Sequence, residues 1–319
     1  MDADLEAIIA SDPDPVALID VLELIAPDAL VNGWERLVGG LGTAMHRIDV
    51  RMPSGAQTQF VLRRYLPEIG DGSTRALREA LTLEALRPTP VPAPQMLWAD
   101  ADGEVFGRPA MAMTLLPGRT DLTDADTGAW ATTLAEALVT LQWIPATAVP
   151  HLPRLTDPAA LRDWLTKPLG PADLVDVEAI GSALDLGART VEPVAPTLLH
   201  GDFHAGNVLR EDGHVTGVVD WTCALVGDPR FDAMYCALDL ALFSSIEVAD
   251  AFVAAYEQLR GPVVDGWFFA LLAAVAALPD PMDWAPSYQA HGVTIDPDAL
   301  RTRFVRWVAR ALAGVTPQA

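Results

Sequence analysis

The sequence predicts an α+β chain in two lobes: a small β-rich N-terminal lobe, a larger helical C-terminal lobe, and a helical extension ahead of both. Three observations carry this. Residues 34–66 break into short β-patterned runs separated by glycine and proline turns. From residue 121 onward, apolar residues recur chiefly at helical spacing. One stretch within that helical part, 198–229, reads instead as short buried strands joined by polar loops.

With 319 residues the chain is long enough for two packed lobes. We divide it into an extension at 1–32, a first lobe at 33–115 and a second at 116–319. A hydrophobic content of 51% and a mean hydropathy of +0.24 supply a large core and argue against disorder. No apolar run reaches the length that spans a bilayer, and the longest, 268–278, suits a buried helix. The first residues lack the basic flank of a signal peptide, so a cytoplasmic location is expected. Acidic residues outnumber basic ones 43 to 21, for a net charge of −22. That balance opposes binding to nucleic acid or an anionic membrane and favours a cationic small molecule. Cys223 and Cys236 do not make a disulfide framework and read as small buried hydrophobes. A monomer or weak homodimer is expected.

The chemistry concentrates at 198–229. Leu198-Leu199 precedes Asp202, Val208-Leu209 follows Asn207, and a run at 215–219 leads into Asp220. The Gly213 turn between the last two runs signals a hairpin, which brings Asn207 and Asp220 toward one edge with the Asp202 loop alongside. Two carboxylates and a carboxamide are hard oxygen donors suited to Mg²⁺, and they match the needs of phosphoryl transfer, where positioning and charge neutralisation do most of the catalysis. Other readings of these residues stand beside this one. Asp and Asn also cap turns, and His200, Asp202 and His204 alternate as zinc ligands on one strand face would. Gly201 and Gly206 speak for a loop there and against the zinc reading.

The spacing is that of the protein-kinase pattern H-x-D-x-x-x-x-N followed by a metal-binding Asp. HGDFHAGNVL, then VVDW, then GDPRFD resembles the aminoglycoside phosphotransferase and choline kinase-like family of small-molecule kinases, and hence implies a protein-kinase-like two-lobed fold. The resemblance implies that Asp202 accepts the proton of a substrate hydroxyl and that Asn207 and Asp220 hold Mg²⁺. It makes Asp228 a structural residue near the site. The nucleotide would be ATP or GTP.

Taken in order, the extension carries two helical patterns, at 5–9 and 16–25, with Asp14 as N-cap and Pro15 at the first helical position of the second. Strands are expected at 34–38, 45–50 and 58–65. The first turn, Gly39-Gly40-Leu41-Gly42-Thr43-Ala44, lets backbone N–H groups approach phosphate oxygens without Cβ obstruction. The third strand, Phe60-Val61-Leu62-Arg63, stands where kinases place V-A-I-K. The only lysine, Lys167, lies too late in the chain to serve there, so Arg63 takes the phosphate-contacting role, with Arg64 pointing to solvent. A helix at 74–86 is expected to bury Leu77, Leu81, Leu83 and Leu86. By resemblance it supplies Glu79 as the partner of Arg63, with Glu84 as the alternative.

Strands at 95–99 and 109–115 follow, and residues 111–118 resemble the hinge of the family. There an adenine would meet Met113, the Thr114 carbonyl and the Leu116 amide. Helices are expected at 127–142, 158–166, 175–191, 233–243, 246–259, 267–278 and 298–312, with a break at 279–286. By resemblance the acceptor lies beside the helices after Asp220. Asp232, Asp239, Asp280 and Asp283 are the candidate carboxylates, with Trp284 and Tyr288 as aromatic faces for a cation. An aminoglycoside or amino sugar fits this chemistry. A macrolide, a peptide antibiotic or a choline-like amine remains an alternative, and so does a nucleotide-binding protein without catalysis. Protein substrates are disfavoured because no activation segment follows Asp220.

Overall fold

The computed structural model describes residues 11–37, 43–66, 71–120, 122–123, 127–165 and 173–315. The helical pattern at 5–9, Gly39, Gly40 and Gly42 of the glycine-rich turn, and Lys167 lie outside the described residues. Two compact units divide the chain: Met1–Pro117 with Gly217–Cys223, and Gly118–Thr216 with Ala224–Ala319. The expected break at 115/116 therefore falls two residues later, and 217–223, expected in the helical lobe, joins the first unit. Hydrogen bonds explain this: the Val218 amide donates to the Pro92 carbonyl and the Arg78 guanidinium to the Thr222 carbonyl.

In the first unit, α1 (Pro15–Ile25) starts where Asp14 accepts from the amides of Val16 and Ala17, so two of the helix's unpaired donors are satisfied. It lays Leu18, Val21 and Leu22 on Ile48, Val50, Phe60, Leu62 and Ala112. Each fully buried aliphatic contributes about 1.5–3 kcal/mol, which fixes the helix to the sheet. That sheet is built from β1 (Leu30–Arg36), β2 (Thr43–Arg51), β3 (Gln57–Tyr65), β4 (Met96–Asp100) and β5 (Ala110–Thr114). The order is β1-β2-β3-β5-β4, antiparallel throughout. The three expected strands are thus part of a five-stranded sheet, and the first begins four residues earlier than its pattern suggested. A turn at Pro53-Ser54-Gly55 joins β2 to β3, with Gly55 at φ 85°, a conformation that a Cβ disfavours.

Two expectations fail here. Arg64 is buried, not exposed, because the chain just before α1 lies over it and its guanidinium donates to the carbonyls of Ser11 and Asp12. Helix α2 (Gly72–Leu86), capped by Asp71, buries Ala76, Glu79, Ala80, Leu83 and Leu86. Leu77 and Leu81, expected on that face, are 50% and 39% exposed. The face turned inward is the one that delivers Glu79 to Arg63, so a buried ion pair sets the rotation of this helix.

The second unit is mostly helical. It comprises α3 (Thr127–Gln142), α4 (Pro158–Leu165), α5 (Val177–Thr190), α6 (Arg230–Phe243), α7 (Ile246–Arg260), α8 (Gly266–Ala276), α9 (Ala285–Ala290) and α10 (Pro297–Ala313). Helices α6 and α8 are apolar nearly all round and buried accordingly. The stretch expected to break the pattern forms a 3₁₀ turn at Pro281–Trp284 and the short α9. Among the described residues, no single helix is long and apolar enough to cross a membrane.

Strand β7 (Thr197–Leu199) leads into the Asp202 loop. It pairs with β10 (Leu225–Gly227), which pairs in turn with β6 (Arg154–Leu155). Strands β8 (Val208–Glu211) and β9 (His214–Val218) form the predicted hairpin. Its turn residues Asp212 and Gly213 both have positive φ, 51° and 79°, as a two-residue turn matching the strand twist requires.

Candidate active site

Within the first unit, Arg63 near the end of β3 and Glu79 on α2 meet at 2.9 Å, both almost fully buried. Glu84, the alternative partner, pairs with Arg87 on the surface. The second guanidinium nitrogen of Arg63 lies 2.8 Å from the Asp220 carboxylate. Glu79 also accepts from the Tyr65 hydroxyl at 2.5 Å and from the Trp221 amide at 3.2 Å. Burial alone would lower the Arg63 pKa, yet Asp220 and Glu79 hold it above its ordinary value. Burial raises the Glu79 pKa, with Arg63 opposing. The guanidinium therefore stays charged, with a carboxylate on each side.

Asp220 sits at φ 66°, a left-handed conformation that costs a residue with a Cβ about 1–2 kcal/mol. The Arg63 contact and the Thr222 hydroxyl, which donates to Oδ1 at 2.7 Å, offset that strain and fix the carboxylate. Glu79→Gln removes the charge but keeps a hydrogen-bonding shape. Because Asp220 still faces Arg63, its expected cost is about 1.5–3 kcal/mol, the scale of a hydrogen bond to a charged group. Denaturant unfolding measures it, and an unchanged midpoint would count against the pair.

Within the second unit, Asp202 follows β7 and Asn207 closes a 3₁₀ turn before β8. The Asn207 amide nitrogen donates to the Asp202 carbonyl at 2.9 Å. With that end committed to the loop, the remaining oxygen of the carboxamide has the chemistry that suits a hard cation. Asp202 Oδ1 accepts from the Tyr235 hydroxyl at 2.8 Å. His204 does not join a zinc set: its Nδ1 accepts from the Gly206 amide, and among the described residues no group of three metal-ligating side chains converges. A Cβ on Gly206 would overlap the His204 ring, so glycine is needed where that ring folds over the loop. Asp228 receives Arg230 through both carboxylate oxygens, at 2.9 and 2.6 Å.

Several acceptor candidates take other roles. Asp232 is completely buried and accepts from the His200 and Gly201 amides at 2.7 and 3.1 Å, so it holds the backbone of the loop. Asp239 and Tyr288 are buried and bond each other at 3.0 Å. Asp280 caps the turn at Pro281–Trp284 and pairs with Arg301. Asp283 is exposed and Trp284 half-buried, and the Trp284 ring packs 5.4 Å from that of Tyr235. At the hinge positions Met113 is buried, while Thr114 and Leu116 are half-buried. The Thr114 amide and hydroxyl are engaged by Gln95. Thr43, the described end of the glycine-rich turn, is buried.

Burial raises the Asp232 pKa to about 7 against the two amides, from an ordinary 3.8. The folded chain therefore binds this proton more tightly than the unfolded chain does. The resulting stabilisation is complete below about 3.8 and is lost as pH rises through about 7. Asp232→Asn cannot ionise, so its unfolding free energy should fall less than that of the wild type across that window. Urea unfolding at a series of pH values tests this, and parallel profiles would sink it.

A model of the family described as "Phosphotransferase enzyme family" matches residues 49–268. No curated protein matches the chain. Among solved structures, a thermostable mutant of aminoglycoside phosphotransferase APH(4)-Ia, in ternary complex with AMP-PNP and hygromycin B, is 17% identical. It covers 93% of this chain and 99% of its own, with a TM-score of 0.66. Macrolide 2′-phosphotransferase MphH from Brachybacterium faecium is 22% identical over 95% of this chain and 98% of its own, with a TM-score of 0.58. A type I macrolide 2′-phosphotransferase is 19% identical over 97% and 100%, with a TM-score of 0.60. At these identities the likeness is one of fold, and it bears out a kinase-like architecture of β-sheet and helical lobes. The match of the family model over 49–268 bears out the resemblance read from the motifs: the chain belongs to the phosphotransferase enzyme family.

Proposed function

We propose that the protein transfers the γ-phosphoryl group of ATP or GTP to a hydroxyl of a small cationic acceptor, of the aminoglycoside or amino-sugar kind. The observation that carries this reading is the Asp202 carboxylate, fixed by the Tyr235 hydroxyl on one oxygen in a loop that also fixes Asn207. A base held this rigidly is what phosphoryl transfer asks of a protein. Asp202 orients the acceptor hydroxyl and takes its proton. Asn207 and Asp220 supply the oxygen ligands of Mg²⁺, which when bound neutralises charge on the nucleotide phosphates. Arg63, held between Glu79 and Asp220, steadies those phosphates by its charge. Met113, Thr114 and Leu116 receive the base. Exposed Asp283, beside the half-buried Trp284 ring, offers a cation both a charge and a π-face. The net charge of −22 favours its approach.

A nucleotide-consumption screen tests the proposal, with ATP and GTP against aminoglycosides, amino sugars, macrolides, peptide antibiotics and choline. Mg²⁺-dependent consumption yielding a phosphorylated cationic acceptor is expected. Mg²⁺-dependent nucleotide binding with no phosphorylated product from any acceptor would favour a non-catalytic nucleotide-binding protein instead.

A further inference from the structure

Helix α6 presents three polar residues, Asp232, Tyr235 and Asp239, at positions i, i+3 and i+7, which share one face of a helix. The first two reach the catalytic loop. Asp232 takes the backbone amides of His200 and Gly201, Tyr235 donates to the Asp202 carboxylate, and Asp239, whose pKa burial raises, accepts from the Tyr288 hydroxyl. The Asp232 contacts fix the path of the loop. Of the three, Tyr235 alone reaches a reacting group.

We infer that Tyr235 is a positioning residue that fixes the rotation of the Asp202 carboxylate and thereby selects Oδ2 as the atom that receives the acceptor's proton; this rests on the phosphotransfer reading above. The phenol occupies Oδ1 at 2.8 Å. On the other side, Oδ2 faces the Asn207 amide nitrogen at a looser 3.5 Å and His204 Nε2 at 3.9 Å. The His204 Nδ1 accepts from the Gly206 amide, which places the neutral ring's proton on Nε2, toward Oδ2. Oδ2 is therefore the less committed oxygen and the one able to take another donor.

The Tyr235 ring cannot swing freely. It packs 5.8 Å from Phe231 one turn earlier on α6 and 5.4 Å from Trp284. In the transfer step, the acceptor oxygen forms its bond to the γ-phosphorus as the bond to the β–γ bridging oxygen breaks. The electron pair leaves with the nucleoside diphosphate, and the acceptor proton passes to Asp202 Oδ2. Because Trp284 is a proposed face of the acceptor site, the same ring contact ties that face to the base.

The test is a double-mutant cycle on full-length protein with Tyr235→Phe, Asp202→Asn and the pair. Phosphoryl transfer is followed to the acceptor found by the screen and to water, with nucleotide affinity measured by calorimetry. Phenylalanine keeps both ring contacts and removes only the hydroxyl. Tyr235→Phe is expected to lower kcat about 10- to 100-fold, the scale on which a misplaced reacting group costs rate. Nucleotide affinity and both KM values should hold. Adding Tyr235→Phe to Asp202→Asn should cost nothing further, since the hydroxyl acts only through the carboxylate.

A wild-type kcat in Tyr235→Phe with an inactive Asp202→Asn would overturn this inference and spare the functional reading. So would equal losses from Tyr235→Phe on both backgrounds. An active Asp202→Asn, or a wild type that transfers to neither acceptor nor water, would overturn both.

Discussion

Replacing Asp202 with asparagine is expected to lower phosphoryl transfer about 10²–10⁴-fold, the contribution of a positioned general base, with nucleotide affinity nearly unchanged. Asparagine is the informative substitution because its carbonyl oxygen can still accept from the Tyr235 hydroxyl, which now bonds Asp202 at 2.8 Å. The loop keeps its shape, since Asn207 bonds the backbone carbonyl of residue 202 and Asp232 holds the two amides before it. What disappears is the ability to take a proton. Nucleotide consumption with the identified acceptor and calorimetric titration with nucleotide check the two halves separately. Retained turnover would remove Asp202 from the chemistry. Lost nucleotide binding would mean that the substitution disturbed more than the base.

The residues of this site differ in how plainly the sequence announces them. Asp202, Asn207 and Asp220 stand out in the sequence because phosphoryl transfer, the reaction proposed here, asks for those donor types in a fixed order along a loop and hairpin. Arg63 and Glu79 are legible in part, since a β3 cation and a helix carboxylate are parts of one arrangement. The rotation of α2 was not. Counting leucines puts Leu77 and Leu81 inside, whereas the helix turns in the face that carries Glu79 to Arg63 and leaves those two leucines exposed.

The burial of Asp232 and Asp239 was hidden for a related reason: an Asp in an acidic chain reads the same whether it faces water or the interior. A signal was available in α6, RFDAMYCALDLALF, which is apolar nearly all round. A helix of that kind is buried, and any acid it carries must then be paired inside the protein. Asp232 and Asp239 obey that rule. Tyr235 was not legible, because its partner lies 33 residues earlier and helical spacing alone does not say which element a face will meet.

Removing the Asp228 carboxylate should cost about 3–5 kcal/mol of stability, the price of stranding one member of a buried ion pair. Asp228 and Arg230 are 4% and 6% exposed, and water therefore screens their attraction little. The guanidinium has further partners. It donates to the Glu192 and Val264 carbonyls, at 2.8 Å each, and lies over the Phe269 ring at 4.5 Å. One side chain thus joins the start of α6 to the segments before β7 and α8.

Asp228→Ala leaves that cation with carbonyl partners but no counter-charge. Arg230→Met does more damage by this reasoning: it strands the carboxylate and deprives two carbonyls of their donor. The double variant should recover part of the loss, because the stranded charge is gone, but only part, because those carbonyls stay unpaired. Denaturant unfolding of the three proteins gives the coupling between the two side chains. Additive losses would show that Asp228 and Arg230 act independently and that the geometry misstates their partnership.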